Sequence, residues 1–259
     1  MSIHSTAIVS PGARIHETAE IGPYCIIGDE VEIGARTRLM AHVFCEGVLI
    51  AGEDNLFYPY STVGVASQDK KYKGERAETH IGNNNTIREF VTIHRGTQGG
   101  GLITRIGDGN LLMAYVHVAH DVRIGNHTTL ANGVTFAGHV TIDDNANIGA
   151  HSGVHQFCRV GRHSIIGGYS VVVQDVMPFS NTVSEREIRV FGANRIGMER
   201  AGFPGETIEG LQTALRLLTR AGLNTTQAIE RIQAEIPETP ELRELIEFIR
   251  TSERGVIKG

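Results

Sequence analysis

The stretch VAHDVRIGNHTTLANGVTFAGHVTI, Val118 to Ile142, decides the fold. Val118, Ile124, Leu130, Phe136 and Ile142 stand six residues apart. A smaller residue precedes each of the last four by two places: Val122, Thr128, Val134 and Val140. Two inward residues with one outward residue between them is the alternation of a strand that turns one face to a core. A helix repeats at about 3.6 residues, so a period of six is not helical. The large position extends back through Ile3, Val9, Ile15, Ile21, Ile27, Ile33, Leu39, Cys45, Ala51, Phe57 and Val63. It resumes at Ile81, Ile87 and Ile93, again at Ile106 and Leu112, and continues through Ile148, Val154, Val160, Ile166 and Val172. The small position is filled by Ala7, Ala13, Ala19, Cys25, Val31, Thr37 and Val43, and later by Ala146, Ser152, Cys158 and Ser164. The unit is a short strand plus a corner, with Gly or Asn relieving strain at the bend. Such units cannot bury their inner face alone, so they stack. Three per turn make a triangular coil of eighteen residues, with successive coils about 4.8 Å apart.

Composition agrees with a regular aliphatic core. The chain has 259 residues, no Trp, 6% aromatic residues and 31 Gly. Lys and Arg total 24 and Asp and Glu total 29, a net charge of −5. That balance is a poor one for binding nucleic acid, which rewards a surplus of cations. No apolar run is long enough for a membrane span, and the first ten residues are not a charged-then-apolar leader; a cytoplasmic location is the expectation. Cys25, Cys45 and Cys158 are an odd number and far apart, which fits neither a disulfide framework nor a metal pair. All three occupy inward slots of the repeat, so a nucleophilic Cys is not expected.

Two polar segments interrupt the coil, at about 66–80 and 97–105, and are expected to loop out of the prism. The second contains Gly99-Gly100-Gly101. Loops on a rigid scaffold are where binding groups sit. The coil ends near Pro178, and Ile208, Leu211, Leu215 and Leu218 then form a helical stripe. The expected organisation is a coil over 1–184 and a C-terminal helical domain over 185–259.

Twelve histidines are many for this length. Adding eighteen to His120-Asp121 gives Gly138-His139, and adding eighteen again gives Gln156-Phe157, with His155 alongside. Three coils therefore stack these groups at one corner, with His117 on the approach. Three readings follow. His120 is a base oriented by Asp121, beside a bare Gly138 N–H that can stabilise an oxyanion; or the imidazoles hold zinc; or they form a structural ladder.

The segments Gln68-Asp69-Lys70-Lys71-Tyr72, Ile93-His94-Arg95-Gly96-Thr97, Asp108-Gly109-Asn110-Leu111-Leu112-Met113, His117-Val118-Ala119-His120-Asp121, Leu130-Ala131-Asn132, Ala137-Gly138-His139-Val140 and Val154-His155-Gln156-Phe157-Cys158 closely resemble bacterial UDP-N-acetylglucosamine O-acyltransferases. The resemblance implies a left-handed parallel β-helix, although parallel crossovers are generally right-handed. It implies a homotrimer that moves a (R)-3-hydroxyacyl chain from acyl carrier protein to the 3-hydroxyl of UDP-N-acetylglucosamine, the first step of lipid A biosynthesis. His120 matches the general base, Asp121 its orienting partner and the Gly138 amide the oxyanion donor. Asp69, Lys71, His117 and His139 match groups that position sugar and acyl chain, with the first loop reaching from one subunit toward its neighbour. Gln156 matches a group near the diphosphate, His155 is a further substrate-binding candidate, and Asn194 and Arg200 match nucleotide contacts. Ile196 departs from the Glu often found there. Gly168 matches a position that limits acyl length, and glycine leaves space for a long chain. The resemblance calls for no metal and no cofactor. Carrier docking needs a basic patch, and Arg216 and Arg220, four apart, offer one.

Overall fold

The computed structural model describes residues 2–184 and 188–258. From Ser2 to Val172 the chain winds as a left-handed parallel β-helix with three faces. The first face carries strands such as Glu20–Ile21 and Thr129–Leu130, the second Ile26–Ile27 and Thr135–Phe136, and the third Val31–Ile33 and Thr141–Ile142. Where no loop intervenes, partners lie one coil of eighteen residues apart, as in Glu20↔Arg38, Thr135↔Gly153 and Thr141↔Arg159. The sixfold column is the core: Phe57, Val118, Leu130, Phe136, Ile148 and Val172 are fully buried. Ile3 is 37% exposed because no coil lies above it.

The inward Asn residues are satisfied by their own ladder. The Asn85 side-chain amide donates to Asn55 Oδ1 and to the Gly107 carbonyl, and its Oδ1 accepts the Asn110 N–H. Asn110 Oδ1 accepts in turn from the N–H and hydroxyl of Thr128. Each rung thus meets the demand that a buried polar group be paired.

The corners correct one expectation. Apart from Gly64, at φ 77°, the glycines that follow the large residue do not relieve dihedral strain; they permit close stacking of coils. A Cβ on Gly22 would lie 1.7 Å from the Met40 carbonyl oxygen. The left-handed corner position is held instead by residues such as Tyr24, His42, Tyr60, Phe90 and Tyr115, with φ of 59°, 57°, 64°, 60° and 65°. Their rings stack face to face at 4.9 to 5.2 Å, an attraction that offsets the backbone cost.

Both loops end sooner than the polarity of their residues suggests. Glu78, Thr79 and His80 belong to the strand Glu78–Ile81, paired with Val48–Ala51 on one side and Ile103–Ile106 on the other. Thr79 fills the small inward slot despite its hydroxyl, so the first loop stops at 77. The second loop contains a single 3-10 turn, Gln98–Gly100, and yields to strand at Ile103.

After the coil, Ser180–Ser184 extends the first face in parallel and Ile188–Ala193 pairs with it antiparallel. The expected boundary between 184 and 185 falls within this hairpin, and 185–187 lie outside the described residues. Four helices follow: α1 (Arg195–Arg200), α2 (Gly205–Arg220), α3 (Thr225–Glu235) and α4 (Pro240–Arg250). α2 buries Ile208, Leu211, Leu215 and Leu218. α3 opens with an Asn224/Gln227 capping box, and α4 with a Thr239 cap and Pro240 in its first turn. Among the described residues no helix is long and apolar enough to cross a membrane.

Candidate active site

His120 and Asp121 stand at the corner between the second and third faces. Asp121 Oδ2 lies 2.8 Å from His120 Nδ1. The Asp121 carboxylate is 4% exposed and accepts two further hydrogen bonds, from the Thr97 N–H to Oδ1 at 2.9 Å and from the Thr97 hydroxyl to Oδ2 at 2.6 Å. A carboxylate so supplied with donors accepts the Nδ1 proton of His120, which leaves the Nε2 lone pair free to act as a base.

One coil further on, Gly138 covers that imidazole. A Cβ at Gly138 would meet His120 Cε1 at 2.3 Å and Nε2 at 2.5 Å, so only glycine fits. The Gly138 N–H has no hydrogen-bond acceptor among the described residues, while its carbonyl takes the Phe157 N–H at 3.2 Å. An imidazole nitrogen and an unspent amide donor therefore lie side by side.

His139 is set edge-on to His120 at 5.0 Å and stacks flat on Phe157 at 4.4 Å. Burial lowers its pKa, with the Asp121 charge opposing. His117 lies edge-on to His94 at 4.9 Å, and its Nδ1 is 2.7 Å from Thr92 Oγ1. Burial lowers the His117 pKa as well. His94 is only 4% exposed, and burial, aided by His117, His120 and Arg95, pushes its pKa down to about 4. It is a neutral wall of the site. The sequence arithmetic did not single it out, nor Thr97, although the motif Ile93-His94-Arg95-Gly96-Thr97 contains both.

Asp69 Oδ2 comes within 3.9 Å of His120 Nε2 in the same chain. The first loop thus brings Asp69 to the His120 corner. The loop leaves from the end of Thr62–Val65, at the corner His120 occupies, and folds back over it. Asp69 Oδ1 accepts the Lys71 N–H at 2.9 Å, tightening the turn. Asp69, Lys71, Thr97, His139 and Phe157 line one cleft of about 970 Å³. His155 and Gln156 lie exposed on the coil beyond, with His155 Nδ1 3.2 Å from the Gln156 carbonyl oxygen.

The other expected residues lie elsewhere in the chain. Asn194, Ile196 and Arg200 line a separate cleft of about 730 Å³ with His127, Asn145 and His163, at the corner between the third and first faces. Asn194 is also a structural residue: its amide donates to the His163 carbonyl and its oxygen caps α1 at Gly197. Gly168 sits at the third corner, where a Cβ would be 3.1 Å from the Ala150 carbonyl oxygen.

Ligand atoms of His120, Asp121 and His139 lie within 4.8 Å of one another, close enough to share a cation. Both Asp121 oxygens are already engaged by N–H and O–H donors, which suits an oriented base better than a ligand set. The three Cys are buried, and burial pushes each thiol pKa up, that of Cys158 to about 11. None supplies a thiolate near neutral pH.

Coil and corner together define a hexapeptide-repeat transferase. Residues 103–138 match the model of bacterial transferase hexapeptide repeats, and residues 175–257 match the second domain of UDP-N-acetylglucosamine O-acyltransferase. The chain is 48% identical over 256 residues, 99% of each protein, to an acyl-acyl-carrier-protein:UDP-N-acetylglucosamine O-acyltransferase of Thermodesulfovibrio yellowstonii. It superposes on LpxA of Acinetobacter baumannii with a TM-score of 0.95 at 45% identity, covering 99% of both chains. It superposes on the Arabidopsis UDP-N-acetylglucosamine acyltransferase with a TM-score of 0.86 at 32% identity, covering 99% of this chain and 100% of the other. The chain belongs to the UDP-N-acetylglucosamine O-acyltransferase family and is an acyltransferase.

Proposed function

We propose that the protein transfers a (R)-3-hydroxyacyl group from acyl carrier protein to the 3-hydroxyl of UDP-N-acetylglucosamine, the opening step of lipid A biosynthesis. One observation carries the mechanism: the free Nε2 of His120 beside the unspent N–H of Gly138. His120 Nε2 takes the proton of the sugar 3-hydroxyl as that oxygen attacks the thioester carbonyl. The carbonyl π electrons move to oxygen, and the Gly138 N–H holds the resulting oxyanion. Asp121 stabilises the imidazolium through Nδ1. When the intermediate collapses, the C–S bond breaks and the carrier thiol leaves with the proton from His120. A thioester is already activated, so the chemistry calls for no metal and no redox cofactor.

Asp69, Lys71, His117 and His139 line the approach and position sugar and acyl chain, and His155 and Gln156 stand where the diphosphate passes. Asn194 and Arg200 contact the nucleotide, and Gly168 leaves depth for the acyl tail. These groups occupy three different corners of one prism. A complete site therefore forms between copies of the chain, and a homotrimer is the closed assembly that supplies it. The test is His120→Ala. It should lose at least about a thousandfold in kcat with an unchanged circular dichroism spectrum. Turnover near that of the parent enzyme would remove His120 as the base. Mass spectrometry of product formed from a mixed pool of acyl carriers reads the chain length.

A further inference from the structure

The Asp121 carboxylate is held by more than its histidine. The loop from Thr97 to Leu102 leaves the coil, makes one 3-10 turn and closes over this single side chain. The Thr97 N–H donates to Oδ1 at 2.9 Å and the Thr97 hydroxyl to Oδ2 at 2.6 Å. The Asp121 N–H donates to Thr104 Oγ1 at 2.8 Å, tying its backbone to the far side of the same loop. Gly100 presses on the carboxyl from above, where a Cβ would lie 2.0 Å from Asp121 Cγ. Thr97 is 6% exposed and Asp121 4%. Asp121 itself stands at the left-handed corner position of its coil, φ 61°, as His127 and His139 do in theirs.

We propose that Thr97 is a positioning residue for the acyl transfer. Its hydroxyl and amide together fix the rotation of the Asp121 carboxylate, so that Oδ2 points at His120 Nδ1 and the imidazole keeps its Nε2 lone pair aimed at the sugar hydroxyl. This rests on the reading of His120 as base.

The test compares Thr97→Ser, which keeps both donors, with Thr97→Val, which keeps shape and amide but removes the hydroxyl; Thr97→Ala replaces valine if that variant fails to fold. The serine variant should stay within about threefold of the parent. The valine variant should lose about 10- to 100-fold in kcat, with KM for both substrates changed less than about threefold. A merely structural role would lower kcat and raise KM in both variants alike. Equal kcat in valine and parent enzymes, or equal losses in valine and serine, overturns the proposal. NMR of the His120 ring nitrogens needs no substrate and should show one Nδ1–H tautomer in the parent and serine variant and a mixture in the valine variant. It therefore separates a failure here from a failure of the acyl-transfer reading, which would appear as no turnover in the parent enzyme.

Discussion

A single hydrogen on the Gly138 α-carbon is all that the His120 ring admits, since a methyl there would sit 2.3 Å from Cε1. The contact makes Gly138 a spacer for the proposed base as well as the proposed oxyanion donor, and alanine, which keeps the N–H, addresses the spacer role. Gly138→Ala is expected to tilt the imidazole away from Asp121 and lower kcat at least about a hundredfold, with substrate KM values little changed. A crystal structure of the variant should show the displaced ring. Activity within a few-fold of the parent would remove the spacer role. Other residues were legible only in part. His120, Gly138 and His139 meet because they lie one coil apart, which counting by eighteen reveals. Asp69 and Thr97 reach the same corner from outside the coil, where counting has no grip: the loops break the register, and Thr97 meets Asp121 across 24 residues.

At the scale of elements, the stacked strands were legible because an inward residue every six places is demanded by the core and tolerates few exceptions. The hairpin of Ser180–Ser184 and Ile188–Ala193 was not, because the sixfold pattern stops at Val172 and these strands are fixed by pairing with the last coil and packing under α2. α1 was hidden for a similar reason: it is six residues long and buries only Met198, too little for an apolar period. α2 was plain in its stripe, and its outer face carries the docking expectation. Arg216 and Arg220 are both exposed, and Arg220 Nη2 donates to the Phe191 carbonyl at 3.0 Å, which holds its guanidinium over the hairpin. Charge reversal at both, Arg216→Glu with Arg220→Glu, should raise KM for the acyl carrier about tenfold while kcat and the KM for the sugar nucleotide stay put. It should also flatten the dependence of that KM on salt. A carrier KM equal to that of the parent enzyme would take this helix out of the docking surface.

At the scale of the molecule, the proposed groups fall at all three corners of the prism. One corner holds His120, the corner beneath the hairpin holds Asn194 and Arg200, and the remaining corner holds Gly168 and a run of exposed rings, among them Tyr115 at 62% and Tyr169 at 74%. One chain cannot fold its own corners onto one another, because the stacked core between them is rigid. Sharing between subunits has a measurable signature. His120→Ala and Arg200→Ala subunits, each nearly inactive at limiting sugar nucleotide, should regain activity when co-expressed or mixed after reversible unfolding. If every site joins the His120 corner of one subunit to the Arg200 cleft of its neighbour, random assembly from equal amounts restores about a quarter of the sites. If each subunit is self-sufficient, every site carries one lesion and the mixture stays as inactive as its parts. Sedimentation of the parent enzyme should give three times the chain mass, and a monomeric enzyme with full turnover would end the shared-site reading.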